Sequence, residues 1–223
     1  MPQKNVKCSD LFEMQVDYIA PLFEGVTYPW EVLPLIKGYV ASLIEKGIPG
    51  FHEYAPGVLI GENVKISPTA TIGENVIIGP DTDIGPGAFI RGNALIGPKC
   101  HIGTACEIKN AVLMFHAQAP HYNYVGDSIM GNYAHMGAGA VCSNLKQDGK
   151  NIVIHGDINY ETGLRKIGGI LGDHAEIGCN CVINPGTVVG KNSQIYPLTA
   201  ARGVIPADCI VKSMDNIVKK EAR

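Results

Sequence analysis

Charge is scarce in this chain. Only 17% of its 223 residues are Asp, Glu, Lys or Arg, and the formal net charge is −3. A general binder of nucleic acid or of a membrane surface needs a basic face, so neither role is expected. Aromatic residues are few, at 7%. No apolar run approaches the roughly 18 residues of a membrane span. The opening MPQKNVKCSDLFEMQ has no apolar core of a signal peptide, so a cytoplasmic location is expected. Seven cysteines are an odd number in a chain without an export signal, which points to reduced thiols. Cys179-x-Cys181 is too isolated a pair for zinc, and no metal site is expected.

What the chain does have is glycine, 27 residues of it, and an internal repeat. From Ile60 an aliphatic residue recurs every six positions through Ile66, Ile72, Ile78, Ile84, Ile90, Ile96, Ile102, Ile108 and Met114. Two positions earlier sits a small or β-branched residue, such as Ala70, Thr82 or Cys106. A period of six fits neither a helix nor a hairpin. It fits a triangular coil of three short strands, with the aliphatic side chain filling the interior. The pattern resumes after a four-residue slip at Tyr124, Met130, Met136 and Cys142, breaks from Ser143 to Gly169, and returns at Leu171, Ile177, Ile183, Val189 and Ile195. Cys100, Cys106, Cys142 and Cys181 sit on this lattice and read as packing residues.

Three regions follow. Residues 1–50 read as helical: Ser9 caps a short helix to about Ile19, and Pro29-Trp30-Glu31 opens a second that ends at Gly47. They are expected to cap the open end of the solenoid, as repeat proteins require, or to dock a partner. Residues 51–212 form the β-helix, with excursions near 115–124 and 143–169, the second holding a hairpin around Asp157-Ile-Asn159. Residues 213–223 are a tail.

The lattice fails at informative places. The position after each interior aliphatic is usually glycine, but Arg91 and Lys109 stand there, one coil apart. They should stack about 5 Å apart, and an anion between them would relieve their repulsion. The slip at 115–124 carries His121 close to this pair. A histidine can serve as a general base near neutral pH.

The segment His121-Tyr-Asn-Tyr-Val-Gly-Asp-Ser128, with Gly137-Ala-Gly139, Asn144, Thr162-Gly-Leu-Arg-Lys-Ile-Gly168 and Ile195-Tyr-Pro197, resembles a known family. It is similar to the acetyltransferase half of the bifunctional glucosamine-1-phosphate N-acetyltransferase/N-acetylglucosamine-1-phosphate uridyltransferase. It is closer still to the related two-domain sugar-1-phosphate nucleotidylyltransferases whose β-helix acetylates amino-sugar phosphates. The resemblance covers roughly residues 57–212. It implies a left-handed parallel β-helix, an exception to the right-handed crossover rule, and a homotrimer with active sites between subunits. The family's general base matches His121. Its phosphate-side cations match Arg91, Lys109 and Lys150, and its tyrosine matches Tyr124. Ala138 and Asn144 match residues that meet acetyl-CoA. Three positions depart: His135 replaces an asparagine that contacts the sugar, Leu145 replaces a tyrosine, and Cys179 replaces a serine at the CoA site. The family's C-terminal arginine has no clear counterpart, and Lys212 is the substitute this sequence offers.

The implied reaction is direct N-acetylation of an amino-sugar 1-phosphate, glucosamine 1-phosphate-like, by acetyl-CoA. His121 takes the proton, Glu107 or Asp127 orients it, and backbone N–H groups around Ala138-Gly139 face the oxyanion. Cys142 and Cys179 are not nucleophiles in it. Residues 1–50 lack the Gly-rich L-x-x-G-x-G-T-x-M loop of the nucleotidyltransferase half, so no nucleotidyl transfer is expected. Two alternatives stand beside this. One is a non-catalytic scaffold or regulatory partner of a nucleotidyltransferase. The other is a zinc hydratase like the trimeric γ-type carbonic anhydrases, using His116 and His121, although the third histidine such a site needs near residues 80–86 is missing.

Overall fold

The structure is a computed structural model and describes residues 5–221; residues 1–4 of the N-terminal region and 222–223 of the tail lie outside it. The hexapeptides wind into a parallel β-helix with three faces. On the first face Ile60 pairs with Ile78 and Ile78 with Ile96, a step of one 18-residue coil. The second face runs from Lys65–Ile66 through His101–Thr104, Gln118–His121 and His135–Met136 to Cys209–Ser213. The third face carries Thr71, Phe89, Glu107, Tyr124, Val141, Val182 and Ala200 as one outward column. Inside, the predicted aliphatic residues stack into one buried core, together with Cys100, Cys106, Cys142 and Cys181. Among the described residues, no helix is long and apolar enough to cross a membrane.

The slip at 115–124 is not an excursion. Gln118–His121 is a regular strand, paired to His101–Thr104 on one side and to His135–Met136 on the other. The phase shifts because two coils are each one residue short. Ile96 pairs with Leu113, and Leu113 with Met130, so both steps are 17 residues. Leu113 and Val125 therefore fill the core where Met114 and Tyr124 were expected. Met114 turns outward into a second apolar cluster, and Tyr124 lies half-buried on the third face.

The N-terminal region differs from expectation in form and place. Its first helix is only Cys8–Leu11. Beyond it the backbone is satisfied by the coil: Glu13 N donates to Asp173 Oδ2 at 2.8 Å, and Asn132 Nδ2 donates to the Glu13 carbonyl at 2.7 Å. Pro29–Val32 is a single 3-10 turn, whose Tyr28 N–H is capped by the Glu31 carboxylate. Pro34 is incompatible with a helix interior, and the longer helix starts after it, at Ile36–Lys46, ending at Gly47 with φ 75°.

These elements do not close an end. They cover the first face, whose outward residues Leu59, Ile77, Leu95, Val112, Ile129, Ile170 and Val188 are buried in the same cluster as Trp30, Leu33, Ile36 and Val40. Each such side chain contributes about 1.5–3 kcal/mol by burial. The coil edges are instead protected by antiparallel strands, His52–Ala55 at one end and Asn216–Lys219 at the other. Part of the tail at 213–223 is thus strand. The excursion after Cys142 returns at Gly169 and carries a hairpin of Val153–His155 with Asn159–Glu161.

Candidate active site

Two corners bound the third face, and most of the sequence-predicted residues divide between them, with His135 on the second face and Lys150 in the excursion. At the corner with the first face lie the two shortened coils. Asn110 and Asp127 turn them with φ 48° and 47°, a left-handed conformation that Asn and Asp tolerate better than most residues. Asp127 is only 5% exposed and gathers three side chains. Lys109 Nζ lies 3.0 Å from both of its oxygens, Asn110 Nδ2 donates to Oδ1 at 2.9 Å, and Asn144 Nδ2 donates to Oδ2 at 2.5 Å. Asn144 also donates to the Tyr124 hydroxyl at 3.1 Å. Burial, then the Asp127 and Glu107 charges, push the Tyr124 phenol above its ordinary range, so it stays protonated as a hydrogen-bond donor.

Arg91 and Lys109 are not a bare stacked pair. A bulge falls between Ile90 and Gly92, so that Gly92, not Arg91, pairs with Lys109. Arg91 Nη1 lies 2.8 Å from Glu107 Oε1. The hydrogen bond and charge of Glu107 raise the Arg91 guanidinium pKa further. Each cation has its own carboxylate, and no anion is required to relieve repulsion. The same contacts correct a second expectation: Glu107 and Asp127 serve Arg91 and Lys109, and neither orients His121.

At the other corner, between the second and third faces, His121 ends its strand with an exposed side chain. The registers Gln118↔His135 and His135↔Glu176 put Ala138 and Cys179 at the same corner on the next two coils. Gly139 N donates to the His121 carbonyl at 2.9 Å and Asn180 N to the Ala138 carbonyl at 2.8 Å. Rungs of this kind are about 4.8 Å apart. Cys179 is the exposed cysteine of the seven. Lys212 is exposed on the last coil of the second face, next to the Gln194↔Ile210 and Ile195↔Val211 pairs. His135 lies on the second face with its Nδ1 2.9 Å from Glu176 Oε2. Lys150 is exposed within the excursion, where its N–H donates to Asp148 Oδ1 at 3.1 Å.

Sequence reasoning missed Asn123. It is 2% exposed. Its Oδ1 accepts the His121 N–H at 3.0 Å, while its Nδ2 donates to the carbonyls of Gly137 and Ala140. It thereby ties the His121 corner to the turn carrying Ala138. A polar residue two before an interior aliphatic, where Cys106 and Ala140 sit in neighbouring coils, was the available signal. The misplaced phase at Tyr124 concealed it. Asn110 was missed for the same reason. Among the described residues, no three His, Cys, Asp or Glu side chains are grouped to hold a metal ion.

Repeat and topology together define a hexapeptide-repeat parallel β-helix protein. Residues 57–92 match the family described as bacterial transferase hexapeptide (six repeats), and residues 75–162 match the GMPPB C-terminal domain. The chain is similar to the bifunctional protein GlmU of Methanococcus maripaludis, 31% identical over 204 residues, covering 90% of this chain and 50% of that protein. It is also similar to a bifunctional sugar-1-phosphate nucleotidylyltransferase/acetyltransferase of Sulfurisphaera tokodaii, 36% identical over 97 residues, covering 43% of this chain and 24% of that protein. The chain thus spans half or less of the length of these relatives. Among solved structures, an N-acyltransferase, AntD of Bacillus cereus, in complex with dTDP and coenzyme A, aligns with a TM-score of 0.39 and 18% identity over 78% of this chain and 91% of that one.

Proposed function

We propose that this protein is a cytoplasmic, trimeric N-acetyltransferase that moves an acetyl group from acetyl-CoA to the amine of an amino-sugar 1-phosphate. The observation that carries the reading is the corner column. His121, Ala138 and Cys179 occupy one position on three successive coils, a track along which an extended thioester can lie with its carbonyl at the imidazole. The similarity to a sugar-1-phosphate nucleotidylyltransferase/acetyltransferase supports the substrate class. The third face exposes Phe89 and Val182, and its flanking corner exposes Tyr122 and Leu198. A second subunit laid against them would cover apolar surface and enclose the track.

In this reading the acceptor phosphate faces Arg91, Lys109, Lys150 and the Tyr124 hydroxyl, and His135 meets the sugar. Ala138, Cys179 and Lys212 lie along the donor; Asn144, which the resemblance also assigns to acetyl-CoA, stands at the Asp127 corner, where its amide holds the Tyr124 hydroxyl. The amine nitrogen attacks the thioester carbon as His121 removes its proton, and the carbon–sulfur bond breaks to release CoA as the thiol. Transfer is direct. Holding amine and thioester together supplies much of the acceleration.

Glucosamine and galactosamine 1-phosphates, tested beside the free amino sugars with CoA-thiol release as readout, measure the reaction. His121→Ala lowers kcat by about two to four orders of magnitude, the usual worth of a general base. Near-full activity in that variant removes His121 from the role. Acetyl-CoA raises Tm by mass action and shields Cys179 from alkylation. A scaffold would show neither effect.

A further inference from the structure

Charge is balanced at the Asp127 corner. Arg91 is matched by Glu107 and Lys109 by Asp127, so these four side chains carry no net charge. An arriving phosphate would gain hydrogen bonds from them but little net attraction.

The excursion supplies uncompensated charge at the same place. Its returning limb, Leu164 to Gly168, is fastened to the corner by its backbone. Ile167 N donates to the Asn144 carbonyl at 3.1 Å and Gly168 N to the Asp127 carbonyl at 2.7 Å, while Leu145 and Lys166 form an isolated antiparallel bridge. The approach is so close that a Cβ on Gly168 would collide with Ser128 Oγ and the Gly126 carbonyl. Glycine is therefore demanded there, and the two residues just before Ile167 are held at a set position. They are Arg165 and Lys166, both exposed, and among the described residues neither has a carboxylate partner. With Asn110, Leu33, Pro34 and Leu164 they line a cleft of about 240 Å³. The side-chain amide of Asn110, a residue lining this cleft, donates to Asp127 at 2.9 Å and to the Leu33 carbonyl at 3.5 Å. The Arg165 guanidinium also lies against Gly149, the residue before Lys150.

We propose that Arg165 and Lys166 form the anion-binding element that draws in the phosphoryl group of a sugar phosphate, while Arg91 and Lys109 act beside it as charge-neutralised hydrogen-bond donors. This rests on the reading of the acceptor as an amino-sugar phosphate. The adjacent, exposed Arg165 and Lys166 side chains on this fastened limb suit a phosphate dianion, and Leu33, Pro34 and Leu164, which line the cleft, suit the apolar side of a small pyranose. A free amino sugar would gain little from the cleft.

The test separates binding from catalysis by using α-D-glucose 1-phosphate, which carries the phosphate but no amine to acetylate. Calorimetry on the full chain is expected to show binding that falls about tenfold or more in Arg165→Gln/Lys166→Gln, with Tm unchanged. The charge-preserving Arg165→Lys/Lys166→Arg should retain most of it. In turnover the Gln pair should raise KM for glucosamine 1-phosphate by a similar factor and leave KM for acetyl-CoA in place. Wild-type affinity in the Gln pair, or no glucose 1-phosphate binding by the wild type, overturns the proposal. Should binding be lost in the pair while the wild type acetylates no amino sugar, the cleft stands and the acetyltransferase reading falls. Should the wild type transfer acetyl groups while the pair keeps unaltered affinity, the acetyltransferase reading stands and the cleft falls.

Discussion

Asp127→Ala is the most informative single change at the candidate site. The wild-type carboxylate is almost fully buried and accepts from Lys109, Asn110 and Asn144. Removing one partner of a buried ion pair costs about 3–5 kcal/mol when the remaining charge cannot escape. Lys109 keeps a quarter of its side chain exposed and can turn toward water, so the lower end of that range applies. Alanine at φ 47° adds about 1 kcal/mol for a left-handed backbone without a side chain that bonds locally. The expected loss is about 3–4 kcal/mol. Asp127→Asn keeps a residue suited to that turn and one oxygen for Asn110 or Asn144, so about 2 kcal/mol is expected. Urea unfolding followed by strand circular dichroism, which reports the coil that carries this corner, reads both. With a slope of about 2 kcal/mol/M, Ala should lower the midpoint by roughly 1.5–2 M and Asn by roughly 1 M. An Ala variant within about 1 kcal/mol of wild type, or an Asn variant as costly as Ala, would refute the account of Asp127 as the hub of this corner.

Two further outcomes concern the fold. Leu95→Asp places a charge on the buried outer side of the first face, beneath helix Ile36–Lys46. It should release the N-terminal region while the coil persists, seen as a red shift of Trp30 emission and proteolysis within residues 5–50 with strand circular dichroism retained; an unshifted emission would contradict the lateral packing. Burial pushes the thiols of Cys100 and Cys142 up from 9.0 to about 12. Between those values the unfolded chain has released protons that the folded chain still binds, so stability falls as pH rises from about 9 toward 12. Urea midpoints at pH 7.5 and 10 should diverge in the wild type and draw together in Cys100→Ala/Cys142→Ala.

Much of the architecture was legible because one physical requirement repeats. An interior aliphatic every six residues leaves a chain few ways to bury it other than a three-sided coil, and glycine with small residues at fixed offsets supports the turns. Arg91, Lys109 and the slip carrying His121 were also visible as departures from that lattice, whereas Asn110 and Asn123 were not. Arg91 and Lys109 were visible as charges in turn positions, but their carboxylate partners were not, since Glu107 and Asp127 meet them through a bulge and a shortened coil. The covering of the first face could have been read: Val58-Leu-Ile60, Val76-Ile-Ile78 and Ala94-Leu-Ile96 are apolar at the outward middle position, whereas Lys65-Ile66 and Asp83-Ile84 on the second face are not.

By itself, then, the sequence determined the solenoid, its interior and the residue types available for chemistry, because these follow from period and composition. Only the tertiary structure decided which residues share a corner. A 17-residue coil and an 18-residue coil look alike along the chain, yet the single residue between them reverses inside and outside. It sends Val125 into the core and leaves Tyr124 on the surface. It also sets Asp127, rather than an incoming anion, against Lys109.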